Sequence, residues 1–362
     1  MGSNTRYLAL DAFRGITIAL MILVNTPGSW SNVYSPLLHA DWHGATPTDL
    51  IFPFFLFIIG SALYFSFAKS GYQYSHAAAG KIIKRSAVIF GLGLALNAYG
   101  HNGELDELRM MGVLQRLGIA YGVASLLILL LSLRLLVISS GIILIGYWGI
   151  LQLGNGDAYS LTDNVVRQVD LAVLGASHLW QGKGLAFDPE GLLSTLPAVV
   201  NVLIGFLATQ YLSNTSSKLE SIKGLILMGG GLIGVSLAWD FVLPINKSLW
   251  TSSYVLFSSG AALVVLASFI WLVDIKAQLK LVDPLLVYGT NPMFIYVLSW
   301  LWATTYYLIN VANDVVLYDY LYLTIAQWMP AKMASLVFAL LHVALFWLIS
   351  NILYKRNIII KV

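Results

Sequence analysis

Residues 39–60, HADWHGATPTDLIFPFFLFIIG, decide how the rest of the chain is read. The stretch opens with two histidines, an aspartate and a tryptophan, passes through Thr46-Pro47-Thr48-Asp49, and then runs almost unbroken in apolar residues. Continued to Ala68 without a charge, the run is long enough for a membrane helix. Proline suits its first turn, where the missing N–H costs nothing, and Thr46 or Thr48 supplies a cap. The histidines and acids therefore crowd at the water-side mouth of a span. Ionisable groups are scarce in this chain, so that crowding marks a candidate site.

Composition supports the same reading. The 362 residues are 58% hydrophobic and 10% charged, with a mean hydropathy of +0.79, against about 25% charged for a soluble domain. A net charge of +3, spread along the chain, gives no case for nucleic acid. The absence of cysteine excludes disulfides, thiolate metal sites and a cysteine nucleophile. The first apolar segment follows Asp11 and Arg14 directly and carries no small-residue cleavage site, so it is expected to stay as the first span.

The fold expected is an all-α polytopic bundle, a single transmembrane domain over 1–362. About ten spans meet the length criterion, near 9–28, 48–68, 82–99, 110–132, 134–153, 191–212, 222–243, 250–273, 285–309 and 332–354. Residues 313–330 are acidic at their start and admit an eleventh, re-entrant segment. Asn291-Pro292 is expected to break or kink the ninth span and to line a cavity. With the N-terminus inside, Arg6, Lys69, Lys81, Lys84, Arg85, Arg134, Lys218, Lys223, Lys276, Lys280, Lys355, Arg356 and Lys361 fall on one side. Fewer basic residues (Arg109, Arg116, Arg167, Lys183, Lys247 and Lys332) fall on the other. That bias places both termini in the cytoplasm and the His39 loop outside. The outer loops then also hold His101, Glu104, Asp106, Glu107, His178, Asp188, Glu190, Asn246 and Lys247. Trp30, Trp42, Trp180 and Trp250 lie at the same level, as an interfacial belt or as sugar-stacking surfaces.

With these pieces placed, the chain resembles the heparan-α-glucosaminide N-acetyltransferase family of transmembrane acyltransferases, in its compact bacterial form. The residues that carry the resemblance are DAFRGITIALMILVN (11–25), HADWHG (39–44), TPTDLIFPFFLFIIG (46–60), GVLQRLGIAY (112–121), FDPEGLLST (187–195), PINKSLWTSSYV (244–255) and GTNPMFIYV (289–297). They keep the family's order and cover nearly the whole chain. The resemblance implies transfer of acetyl from cytosolic acetyl-CoA to a glucosamine-type amine at the outer face. It implies His39, head of the H-A-x-W-x-G motif, as the catalytic histidine, and Asn25 as the asparagine that ends the first span. Set beside animal members, the resemblance places His43 where they commonly carry asparagine, and their extra N-terminal luminal region is not expected here. The expected address is a bacterial inner membrane and the expected acceptor an amino sugar other than heparan. Lipid and that sugar are the expected partners, with a homodimer allowed.

Residue chemistry gives each position a role and an alternative. A free imidazole titrates near pH ~6.5, so His39 can take a proton from an attacking ammonium, return one to a leaving thiol, or carry acetyl itself. Asp49 either caps its helix or orients His39. Asn25 either stabilises charge on the thioester oxygen or packs between helices. His43 shares a face with His39 if that loop is helical, and with Trp42 is assigned to the sugar; the spacing does not support zinc, and no metal is expected. Arg14, three residues from Asp11, pairs with it or meets a phosphate. Gln115 and Arg116 lie inside a span and line a cofactor channel or an internal pair. Lys81, Lys84 and Arg85 suit the phosphates of coenzyme A, although the charge bias alone produces such a cluster. Asp188, Glu190, Asn246, Lys247 and Asn291 are assigned to the sugar. His342, mid-span, reads as structural. A sugar transporter is the competing function, because broken helices also suit alternating access.

The topology is testable in a chain without native thiols. Cysteines placed at Ser35 and Ser70 are expected to react with an impermeant reagent from opposite sides of sealed vesicles, Ser35 from outside. Labelling of both from one side rejects the assigned orientation.

Overall fold

The computed structural model describes residues 7–101, 105–154, 156–312 and 314–360. Arg6, Glu104 and Lys361, used above for charge, lie outside the described residues. The helices are α1 (Leu8–Asn25), α2 (Ile51–Ala68), α3 (His76–Gly100), α4 (Val113–Leu130), α5 (Leu133–Leu151), α6 (Val165–Leu174), α7 (Thr195–Asn214), α8 (Lys218–Asp240), α9 (Ser252–Ile270), α10 (Leu279–Tyr288), α11 (Pro292–Leu308), α12 (Leu317–Ala326) and α13 (Ala331–Lys355). A short antiparallel hairpin, β1 (Asn310–Ala312) with β2 (Val315–Val316), precedes α12.

Among the described residues, eight helices are long and apolar enough to cross a membrane. A ninth span results if α10 and α11, bent by 66° at their junction, count as one. The count differs from the expected ten at the third span: α3 covers it but is not among the eight, and its first turns carry Lys81, Lys84 and Arg85. The candidate eleventh segment holds β2 and a ten-residue helix, α12. Ten helical residues reach about 15 Å, half the hydrocarbon thickness.

The chain divides into two compact units, Met1–His39 with Thr46–Ile51 and Ser268–Val362, and Ala40–Ala45 with Phe52–Ala267. In the first unit, α1 packs against α10, α11 and α13, and α12 packs against α13. Asn291-Pro292 breaks the helix as the sequence suggests, with Pro292 taking the first position of α11. The Asn291 amide then fastens the C-terminal segment, donating to the Ile358 carbonyl (2.9 Å) and accepting from the Ile360 N–H (2.8 Å). Tyr318 of α12 donates to the Pro27 carbonyl (2.6 Å) and stacks on Tyr307 with ring centroids 4.3 Å apart.

In the second unit, α4 packs on α3 and α7, and α5 on α7. Two glycines set the crossing of α2 and α7. A Cβ on Gly205 would lie 1.9 Å from the Phe57 carbonyl oxygen, and one on Gly60 would lie 1.8 Å from that of Val202. Small residues of this kind let membrane helices approach backbone to backbone. One end of the unit has its own apolar core, in which Tyr147, Leu151, Val166, Phe187, Leu243 and Leu249 are fully buried.

Gly205→Val is expected to force α2 and α7 apart, at a cost of at least about 1–3 kcal/mol, as overpacking generally does. A clear fall in the thermal midpoint in detergent checks this. An unchanged midpoint means that the two helices do not touch there.

Candidate active site

The first unit carries the His39–Asp49 pair. Its setting begins with Pro47–Leu50, a short 3-10 turn that leads into α2, with Pro47 in the first position and Asp49 facing back on Thr46. Asp49 Oδ2 accepts the Thr46 backbone N–H at 2.9 Å and lies 3.0 Å from the Thr46 hydroxyl. That hydroxyl is also 2.7 Å from the Leu38 carbonyl, and Thr48 donates to the Pro36 carbonyl at 3.2 Å. The segment before His39 is thus tied to the helix start. The other carboxylate oxygen, Oδ1, meets His39 Nδ1 at 2.7 Å. Asp49 is 1% exposed while the imidazole is 47% exposed, so a buried carboxylate holds a ring that reaches outward. An acceptor at Nδ1 places that proton on Nδ1 and leaves the neutral ring's lone pair on Nε2.

Asn25, the last residue of α1, is exposed and makes no side-chain hydrogen bond among the described residues. Arg14 pairs with Asp11 at 2.9 Å and lies 3.4 Å from the Gly289 carbonyl, which fulfils the pairing half of its reading. His342 donates to the Phe338 carbonyl at 2.9 Å among aromatic rings, a structural setting.

The second unit holds His43, four residues after His39 but not on a shared helical face, because residues 39–44 are not helical. His43 is exposed, and its Nδ1 lies 3.3 Å from the Asn246 amide nitrogen. Asn246 is fully buried in the 244–251 loop, where its Oδ1 accepts the Leu249 N–H (2.8 Å). Lys247, half-buried in the same loop, offers its carbonyl to the Trp250 N–H. Trp42 packs against the Phe187 core: its Nε1 donates to the Tyr159 carbonyl (2.7 Å) and its ring meets Phe187 edge-on.

Arg109, counted in the sequence only as an outer charge, joins two of the expected sugar ligands. It forms a bidentate pair with Asp188 (2.8 and 2.7 Å) and a third bond with Glu190 (2.7 Å). Burial pulls against its charge, but the two carboxylates outweigh it and hold the guanidinium proton more firmly than usual. Asp188 is fully buried, and its Oδ1 also accepts the Glu190 N–H. Both acids therefore shape their own turn.

Gln115 and Arg116 turn to different neighbours. The Gln115 side chain lies against Gly93 of α3 and its Nε2 has no partner among the described residues. Arg116 is fully buried, bonded to the hydroxyls of Ser194 and Thr195, with its guanidinium carbon 4.6 Å from the centre of the Trp250 ring. Trp250 therefore belongs neither to an interfacial belt nor to an exposed sugar surface. It is buried with φ at +50°, a left-handed conformation rare for a bulky residue, and its Nε1 donates to Asn201. Lys81, Lys84 and Arg85 are exposed on α3, with Arg85 over the Tyr121 ring. Among the described residues, no group of three or more His, Asp or Glu is arranged to hold a metal ion.

Sequence reading also missed Asp170 on α6. Its Oδ1 accepts the Leu192 N–H (2.9 Å) beneath the 188–192 turn, and its Oδ2 has no hydrogen-bond partner among the described residues. No motif announces it; it emerges only when α6 folds under that turn.

Comparison with known proteins adds an independent line. The family profile described as heparan-alpha-glucosaminide N-acetyltransferase, catalytic, matches residues 6–229. The human protein of that name is 31% identical over 353 residues, covering 81% of this chain and 52% of its own length. The mouse protein is 27% identical over 422 residues, covering 99% of this chain and 61% of its own. The chain thus spans a little more than half the length of these curated relatives.

Asp170 yields a pH prediction. Burial, the largest influence, pushes its carboxyl up to about 7, and nearby Asp188 adds to the rise, while the Leu192 N–H and Arg116 oppose it. The folded state therefore binds this proton more tightly than the unfolded chain, so stability falls as pH rises from about 4 to about 7. Asp170→Asn is expected to flatten that slope and to raise the thermal midpoint above pH 7. Parallel melting curves for both proteins across this range argue against a buried, proton-holding Asp170.

Proposed function

Because the chain belongs to the heparan-alpha-glucosaminide N-acetyltransferase family, we propose that it is a membrane acetyltransferase moving acetyl from acetyl-CoA to the amine of a glucosamine-type sugar, with His39 as the central group. The observation that carries the chemistry is the 2.7 Å contact between His39 Nδ1 and the buried Asp49 carboxylate. With Nδ1 bound to an acceptor, Nε2 is the basic nitrogen. The amine nitrogen attacks the thioester carbonyl, and Nε2 accepts a proton from it. The carbon–sulfur bond breaks and the departing sulfur takes a proton, leaving an amide and a free thiol. Asp49 stabilises the imidazolium formed between these events, the part an orienting carboxylate plays for a histidine base generally. The same Nε2 is the atom that would carry acetyl in a two-step route. Asn25, exposed in the same unit, supplies an amide donor for the developing oxyanion.

The donor's phosphates are assigned to the cytoplasmic face, where Lys81, Lys84 and Arg85 offer cations, and both termini lie on that face. The protein resides in a bacterial cytoplasmic membrane in this reading. Acetyl-CoA is too charged to diffuse through lipid, since even one unpaired charge at the bilayer centre costs several kcal/mol or more, on the order of 3–17 by different estimates. Only the acyl end needs to reach His39. No comparison supports the transporter reading.

Purified protein in sealed, oriented vesicles tests the proposal, with free thiol as the readout. Acetyl-CoA is expected to work only from the cytoplasmic face and glucosamine only from the outer face. His39→Ala is expected to reduce transfer by about 10²–10⁴-fold, the usual worth of general acid–base catalysis, while the fold survives. Near-normal turnover in that variant removes His39 from the chemistry. Turnover with acetyl-CoA supplied only outside rejects transfer across the membrane.

A further inference from the structure

We infer that His43 presents its Nε2–H as a hydrogen-bond donor to an oxygen of the amino sugar, and that Asn246 is the positioning residue that fixes this polarity. The inference rests on the proposed function for the identity of the ligand, but not for the state of the ring.

The argument starts with a backbone group whose role is unambiguous. The Leu249 N–H can only donate, and it meets the Asn246 side chain at 2.8 Å, so the atom it meets is the amide oxygen. The atom turned towards His43 is then the amide nitrogen, a donor, 3.3 Å from Nδ1. Nδ1 must accept, so a neutral ring carries its proton on Nε2. Other histidines with a recorded partner are bonded the opposite way. His39 meets a carboxylate at Nδ1, and His178 and His342 meet the Leu108 and Phe338 carbonyls at 2.8 and 2.9 Å. Among the described residues, His43 is the one whose Nδ1 faces a donor.

The arrangement is built, not incidental. Asn246 is fully buried, and its own N–H donates to the Thr251 hydroxyl at 3.0 Å. Gly44, next to His43, donates its N–H to the Ile245 carbonyl at 2.7 Å, which joins the histidine's strand of chain to the 244–251 loop. Gly44 has φ at +90°, a value that residues with a Cβ rarely adopt, so the join depends on glycine there. The ring so held is exposed. A ring N–H is a donor and cannot hold an ammonium group. It suits hydroxyl, ring or carbonyl oxygens, with which a sugar is densely furnished. With Asp188 tied to Arg109, a neutral donor contacts the sugar's oxygens without competing for its amine.

Long-range ¹H–¹⁵N correlation on histidine-labelled protein in lipid nanodiscs tests the ring directly, with His43 assigned by its loss in His43→Ala. The expected result is a protonated Nε2 and an unprotonated Nδ1, with glucosamine shifting the Nε2 signal. A proton on Nδ1, or no response of His43 to glucosamine, overturns the proposal. Kinetics supply the second arm. His43→Ala is expected to raise the KM for glucosamine about tenfold, as the loss of one good hydrogen bond would, with the KM for acetyl-CoA unchanged. His43→Asn, whose amide again offers a donor, is expected to recover much of that loss. Equal rises in both KM values overturn the assignment to the sugar. If the unmodified protein transfers no acetyl at all, the enzymatic reading fails, whereas the spectroscopic result still decides the state of His43.

Discussion

A carboxylate has two oxygens, and the first unit depends on Asp49 using them differently. Oδ2 is bound to Thr46 at the start of a membrane helix, and Oδ1 is bound to His39. Each contact makes the other more precise. The backbone bond fixes the carboxylate where the helix dipole already favours negative charge, and a carboxylate so fixed can hold a half-exposed imidazole in one orientation. An acid that only capped would leave the histidine to wander. An acid that only oriented the ring would be a buried charge with too few donors, which is costly. Leu38 and Pro36, whose carbonyls receive the threonine hydroxyls, extend the same fastening to the segment just before the histidine.

The second unit solves a different problem, that of keeping polar groups in an apolar surrounding. Arg109 bridges Asp188 and Glu190, and the 244–251 loop satisfies its own backbone through Asn246 and Thr251. Trp250 is held in a sparsely populated conformation, and its neighbours over-determine it: Asn201 takes the indole N–H and Arg116 covers the ring. Strain of this kind persists only where the surroundings enforce it. The loop that presents Asn246 to His43 is therefore rigid for reasons that lie several residues away.

Much of this was legible in the sequence. The long apolar runs placed most of the spans, Pro47 and Thr46 announced the start of α2, and Asn291-Pro292 announced the break before α11. The dual reading of Asp49 was also open from its position. What could not be read was pairing across long separations. Arg109 and Asp188 stand seventy-nine residues apart, and nothing local in either says that they meet. Trp250 looked like an interfacial aromatic because hydropathy does not distinguish a tryptophan at a membrane surface from one stacked on a buried guanidinium. Helix α3 keeps the apolar stretch that suggested a span, but its first turns carry Lys81, Lys84 and Arg85, and it is not among the eight helices counted as long and apolar enough to cross a membrane.

The buried charges of the second unit can finally be considered together. Arg109 and Arg116 bring two guanidinium charges, and Asp188 and Glu190 bring two carboxylates, so these four groups balance. Asp170 is a further ionisable group in the same region, fully buried, with one oxygen lacking a hydrogen-bond partner among the described residues. Burial is the largest cause that pushes its carboxyl up to about 7, and the neighbouring Asp188 charge adds to the rise. A neutral Asp170 keeps the Leu192 N–H bonded and adds no net charge. With its carboxyl pushed up to about 7, protonation of Asp170 limits the negative charge that the cluster carries below that pH. That explains how an acid can lie beneath the 188–192 turn without a basic side chain of its own.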